Sequence, residues 1–147
     1  MSFLEEAESE LKRADHLLFI SLKYTRTCDI ILNTIKRLIS AIDFAILALL
    51  EQLKKEKKIK TIPDSPIERA NLVKEKIKNV KKYIEYYMLF KFLIKTDYEA
   101  REEYRKNLAL ITKGKRKIVV TEDILEKYFY ATKEFLNFVK ERIKWVM

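Results

Sequence analysis

The stretch SLKYTRTCDI, Ser21 to Ile30, decides how the first third of the chain folds. On either side of it, apolar residues step by three and four, the spacing of one helical face. Leu4, Ala7, Leu11, Ala14 and Leu18 precede it; Leu32, Ile35, Ile39, Ile42, Ile46, Leu49 and Leu53 follow. Carried across the stretch, the phase lands on Ser21, Thr25 and Cys28, with no Gly or Pro to interrupt it. One helix from Phe3 to Leu53 would be about 75 Å long. It would project from a domain with a radius of gyration near ~15 Å unless a partner chain covered it. Two helices with a sharp turn near Lys23 to Thr25 avoid this, and that reading is preferred. Thr25 or Thr27 then caps the second helix, with Asp29 in its first turn, where the helix dipole favours an anion. The polar cluster of Tyr24, Arg26 and Asp29 is first a hydrogen-bonded corner. As a site, it would be a small polar pocket facing a phosphate or a partner.

Working outward, the 147-residue chain suits one domain spanning residues 1–147. A single Gly and two Pro leave too few turn residues for an all-β or βαβ fold. Hydrophobic residues make up 48% and charged residues 36%, a mixture suited to amphipathic helices. The formal net charge of +9 permits binding to nucleic acid or an acidic surface, and is equally compatible with a solvated, lysine-rich exterior. Cys28 is the only cysteine, which rules out an internal disulfide and fits a reducing compartment. The longest apolar run, Phe44 to Leu50, falls far short of the ~20 residues that span a bilayer. The acidic N-terminus lacks the basic start of a signal peptide. The expectation is a soluble cytoplasmic protein with no membrane partner.

Local signals predict about five helices. Ser2 and Glu5 form a capping box for the first. QLKKEKKIKTIPDSP, residues 52–66, is a loop, and Ser65-Pro66-Ile67-Glu68 restarts a helix. Its stripe runs through Ile67, Ala70, Val73, Ile77, Val80, Ile84 and Tyr87, widened by Leu89, Phe90 and Phe92. Thr96 and Glu99 predict a fourth, shorter helix with Tyr104, Leu108 and Ile111 facing inward and Gly114 ending it. KRKIVV reads as a brief extended stretch. Thr121 then caps a last helix with two apolar stripes. The expected fold is all-α, an antiparallel bundle.

Enzyme motifs are sparse. There is no glycine-rich phosphate loop, and His16 is the only histidine. No pair of E-x-x-H motifs supports a di-iron site, so no cofactor and no metal are expected. Asp43 interrupts SAIDFAILALL; it pairs with Arg37, Lys36 or a base on another helix, or else sets register at a dimer seam. Lys54, Lys55, Lys57 and Lys58 crowd one loop, and Lys113, Lys115, Arg116 and Lys117 another. If the two loops meet at one end of the bundle, they form an electrostatic face for RNA.

The helix EEAESELKRADHLLFISL, a turn, and the apolar helix IKRLISAIDFAILALLE resemble in layout the HEPN-type helical bundles of archaea and bacteria. That family includes RNA-cleaving toxins, RNA-binding modules and partners of nucleotidyltransferases, often as dimers. Its nuclease members carry an Arg followed, after a short spacer, by a His. REEYRKN offers Arg101 and Asn107 instead, and an amide does not titrate. The resemblance therefore implies a non-catalytic member. The leading expectation is a helical bundle that binds RNA or a protein partner, as a homodimer built on its two apolar first helices. The alternatives are a ribonuclease with an altered site and a purely structural interaction module.

Overall fold

The computed structural model describes residues 2–146. Helix α1 spans Phe3–His16, and the Ser2 hydroxyl caps it by accepting the Glu5 amide at 3.1 Å. The helix does not stop there. It runs on through a π turn, Leu17–Ser21, and a final α turn, Leu22–Tyr24. A π turn closes from i to i+5 and takes up one residue more than an α turn. The buried face therefore slips by one residue. Ala14, Leu18 and Leu22 are fully buried, while Ser21 is not, which corrects the uninterrupted phase that placed Ser21 in the core.

The chain turns at residues 25–27, so the two-helix corner is what forms. Thr27, in extended conformation, caps helix α2 (Cys28–Lys55), its hydroxyl accepting the Ile30 amide at 3.4 Å. Asp29 stands in the first turn, as the dipole prefers. Helix α2 is the central element, packing against α1 along its length, and its inner face is buried almost without interruption from Cys28 to Leu53. Burying each Leu or Ile side chain in such a face contributes about 1.5–3 kcal/mol. Its end is closed without glycine. Lys57 adopts φ 61°, its amide bonds Lys54 O, and the Lys58 amide bonds Leu53 O, each at 3.0 Å. This is the Schellman arrangement with lysine in the left-handed position.

Ser65 and Pro66 start α3 (Pro66–Lys76) as expected, the Ser65 hydroxyl accepting the Glu68 amide. The long stripe beyond it is broken, however. Asn79 takes φ 68°, and a separate helix α4 spans Lys81–Leu93. Asn tolerates the left-handed conformation, and the break lets Ile77 and Val80, on either side of it, both stay buried.

The predicted fourth helix does not form, and the fold is not all-α. Strands β1 (Tyr98–Arg101), β2 (Ala109–Thr112) and β3 (Val119–Thr121) make an antiparallel meander in the order β1-β2-β3. Leu108, Leu110 and Ile111 are indeed buried, but as part of a continuous apolar run. A central strand covered on both faces buries consecutive residues, which one face of a short charged helix cannot do. Tyr104, expected to face inward, is 76% exposed in the β1–β2 loop with φ 69°. Gly114, expected as a helix stop, sits at φ 99° in the β2–β3 turn, where its freedom at positive φ is used. Thr112 holds that turn: its hydroxyl donates to Arg116 O (2.8 Å) and accepts from the Ile118 amide (2.7 Å). The KRKIVV stretch is extended, as expected, and leads into β3. Thr121 then caps helix α5 (Glu122–Val146). Among the described residues the fold is five helices and one three-stranded sheet. None of these helices is long and apolar enough to cross a membrane.

Candidate nucleic-acid interface

The hairpin turn carries Lys113, Lys115, Arg116 and Lys117, all exposed. It is folded onto the C-terminal end of α4. The Lys113 amide bonds Asp97 O at 2.9 Å, and the Arg116 guanidinium lies 4.9 Å over the Phe92 ring. Lys91, Phe92, Lys95 and Thr96 line a shallow cavity of ≈ 350 Å³ beside that ring. The turn thus sets Arg116 on the ring that lies between Lys91 and Lys95 in sequence, and carries Lys113, Lys115 and Lys117 beside it, while the Lys91 ammonium lies 5.4 Å over the Tyr87 ring. None of these six cations makes an ion pair among the described residues. Sequence patterning does not single out Lys91 and Lys95, and it places Phe92 on a buried stripe, whereas its ring here is half-buried. The usable signal is Lys91 in the last turn of the helix, where the dipole favours cations, with Lys95 just past its end.

The other lysine loop does not join this face. Cys28 Sγ donates to Ala109 O at 3.6 Å, so β2 begins beside the first residue of α2. Lys54 lies about 39 Å from Cys28 along α2, while the strand carries Lys113 only about 13 Å from Ala109. The two loops therefore stand on the order of 25 Å apart. Lys54 and Lys55 form the last turn of α2 rather than part of a loop, and the segment after them is partly neutralised: the Glu56 carboxylate lies 3.0 Å from Lys58 and 3.9 Å from Arg142. Those two cations hold the Glu56 carboxyl below its ordinary value, with Gln52 adding a hydrogen bond. Lys54, Lys55 and Lys57 remain exposed.

The corner and the REEYRKN loop do come together. The Tyr104 amide bonds Arg26 O at 2.6 Å, and the Cys28 amide bonds a Glu103 carboxylate oxygen at 3.0 Å. Arg26 is held by Glu122 at 2.8 Å, and Lys23 pairs with the same carboxylate. These bonds tie α1, α2, the β1–β2 loop and α5 into one joint. The charge of Arg26 is matched there by Glu122 rather than presented to a ligand. Asp29, Arg101 and Asn107 are exposed around it, and Tyr24 is 87% exposed. Burial, with the Glu103 and Asp29 carboxylates beside it, pushes the Cys28 thiol up to about 11. A thiol kept protonated is a poor nucleophile.

Asp43 finds its partner inside the chain, where the Tyr87 hydroxyl donates to it. Burial raises the Asp43 carboxyl, against the Tyr87 hydrogen bond and the Lys91 and Arg69 charges. A carboxyl with a raised pKa binds its proton more readily folded than unfolded. Its contribution to stability therefore declines as pH rises from the ordinary carboxylate value through the raised one. Tyr87→Phe removes a bond that favours the carboxylate and should widen that decline. The expected cost is about 1–3 kcal/mol, larger at pH 7 than at pH 4 in urea denaturation. An equal cost at both pH values would show that the hydroxyl does not act on the carboxylate charge.

A cavity of ≈ 530 Å³ between α4 and α5 mixes Lys82 and Lys127 with Asp123, Glu126 and Glu134. It offers an anion no net attraction. No protein-family model, no curated protein and no solved structure matches the chain.

Proposed function

We propose that the chain is a non-catalytic RNA-binding helical module whose contacts are made by the β2–β3 turn and the end of α4. The observation that carries this reading is the Arg116 guanidinium laid on Phe92, which sets the turn bearing Lys113, Lys115 and Lys117 against the helix end bearing Lys91 and Lys95, none of them in an ion pair among the described residues. Lysines act as point charges on phosphates and read no base edges, so binding is weak and without sequence preference. The Arg116 guanidinium, laid on Phe92, offers one plane on which an unpaired base can stack. The likeness to HEPN-type bundles, whose members include RNA-binding modules, supports the same reading. The test is a fluorescence-anisotropy titration of a short single-stranded RNA, repeated with Lys115, Arg116 and Lys117 changed to Ala. Weaker binding by the variant, with the RNA recovered intact, supports the reading. Equal binding by both proteins removes it. Cleavage that disappears in Arg101→Ala establishes the altered-nuclease alternative instead.

A protein partner is the second reading, and the surface of α1 supports it. Ile20 and Tyr24, one helical turn apart, are 48% and 87% exposed, and the exposed Tyr130 ring lies 6.3 Å from Phe19. A second copy of this chain is the simplest such partner. Light scattering on the eluting protein reads it directly, and a monomer mass at tens of micromolar removes it.

A further inference from the structure

A second basic surface lies along the seam of α1 and α2, where sequence patterning suggested no site. Two grooves meet there. One, of ≈ 420 Å³, is lined by Ser9, Lys12, Arg13, His16, Leu17 and Arg37. The other, of ≈ 350 Å³, is lined by Leu17, Asn33, Lys36, Arg37 and Ser40. They share Leu17 and Arg37, so they are parts of one furrow. Neither lining includes an acidic residue.

The furrow is built rather than merely charged. Glu10 is buried beneath it and accepts from one nitrogen of each arginine: Arg13 Nη1 at 2.9 Å and Arg37 Nη1 at 3.0 Å. One carboxylate thereby holds guanidiniums from two helices in place. Each keeps its other N–H groups for a ligand, because a guanidinium carries five donors. Lys12 and Lys36 add two exposed cations with no ion pair among the described residues. Glu10 therefore neutralises only part of the charge, and a surplus of three positive charges remains without His16. Ser9, Asn33 and Ser40 add neutral hydrogen-bonding groups to the lining. The residue common to both grooves, Leu17, is the first of the π turn. Such turns recur where a helix is bent to serve a site.

We infer that this furrow binds the phosphate chain of a small ligand, a nucleoside triphosphate or a short inorganic polyphosphate. A single carboxylate ligand would leave most of the surplus unmatched, whereas two or three linked phosphates neutralise it. Planar guanidiniums fixed side by side suit phosphoryl oxygens, which accept two parallel N–H bonds. The furrow is short and bounded by two helices, which suits a compact anion better than an extended strand.

Calorimetric titration of the full chain at low salt tests this, with tripolyphosphate and ATP as probes in separate runs. Wild type should bind tripolyphosphate, and the double variant Lys12→Ala/Lys36→Ala about tenfold or more weakly. Arg37→Lys keeps the charge but loses the fork, and should also weaken binding. Lys74→Ala/Lys76→Ala removes the same charge elsewhere, on the exposed side of α3, and should bind as wild type does. Tighter binding of ATP than of tripolyphosphate identifies a nucleotide site; the reverse order identifies a polyphosphate site. No tripolyphosphate binding by wild type overturns the inference, as does an equal loss in the Lys74/Lys76 variant. The RNA titration on the same proteins separates this site from the hairpin face. Loss of RNA binding in the Lys12/Lys36 variant, with no tripolyphosphate bound by wild type, would overturn the furrow and move the RNA surface to α1 and α2.

Discussion

Phe135→Ala is expected to lower the unfolding free energy by about 3–5 kcal/mol, the usual cost of deleting a buried aromatic ring. Phe135 lies on the inner face of α5 and is fully buried. Its ring centroid sits 5.1 Å from that of Tyr83 on α4, which in turn stands 6.0 Å from Phe138. Truncation leaves a cavity between helices that α2 holds in position, so the site cannot collapse to fill it. For a chain of this length each kcal/mol shifts the melting temperature by about 2–4 °C, so a fall of about 6–20 °C is expected. Circular dichroism on heating or in urea measures it. Tyr24→Ala, at an 87% exposed position, should stay within about 0.5 kcal/mol of wild type. A Phe135→Ala loss no larger than that of Tyr24→Ala would mean that α4 and α5 do not pack as described.

The salt dependence of RNA binding is the second large effect. Each phosphate neutralised on a single strand adds about −0.7 to the slope of log affinity against log salt. Five contacts from the hairpin face give a slope near about −3.5, so affinity should fall roughly a hundredfold between about 50 and 200 mM salt. Changing Lys115, Arg116 and Lys117 to Ala removes three of these contacts and should bring the slope to about −1.4, a loss of only about sevenfold over the same range. Lys54→Ala/Lys55→Ala should leave the slope unchanged, because those residues lie on the order of 25 Å from the hairpin turn. A slope that responds to Lys54 and Lys55 but not to the hairpin would reverse the assignment of the face.

Part of the candidate site was legible in the chain. The four hairpin cations stand together in sequence, so their clustering needed no folding. Lys91 and Lys95 were not legible as part of the same face. They join it only because the β2–β3 turn folds back over Phe92. The furrow at α1 and α2 was hidden for a related reason. Arg13 and Arg37 are far apart in sequence, and a shared buried carboxylate, Glu10, brings them together. Nothing in local spacing announces a partner that an antiparallel packing chooses.

What the sequence determined by itself were the elements whose signals are local. The caps at Ser2, Ser65 and Thr121, the choice of Thr25 or Thr27 at the corner, and the unbroken stripe of α2 are such signals, because a cap bonds amides within the next turn. The absence of a second cysteine likewise closed off disulfides from composition alone. Tertiary structure alone decided three things. Tyr98–Arg101 and Ala109–Thr112 form strands because β2 can be paired on both sides and covered, an advantage that exists only once β3 and the bundle are in place. The helix from Ser65 breaks at Asn79 so that Ile77 and Val80 both reach the core. The π turn at Leu17–Ser21 slips the buried face from Ser21 to Leu22 because α1 must match the face of α2 it packs on. In each case a weak local preference gave way to burial, since each buried aliphatic side chain contributes about 1.5–3 kcal/mol, more than the span of local propensities between ordinary residues, at most about 1 kcal/mol.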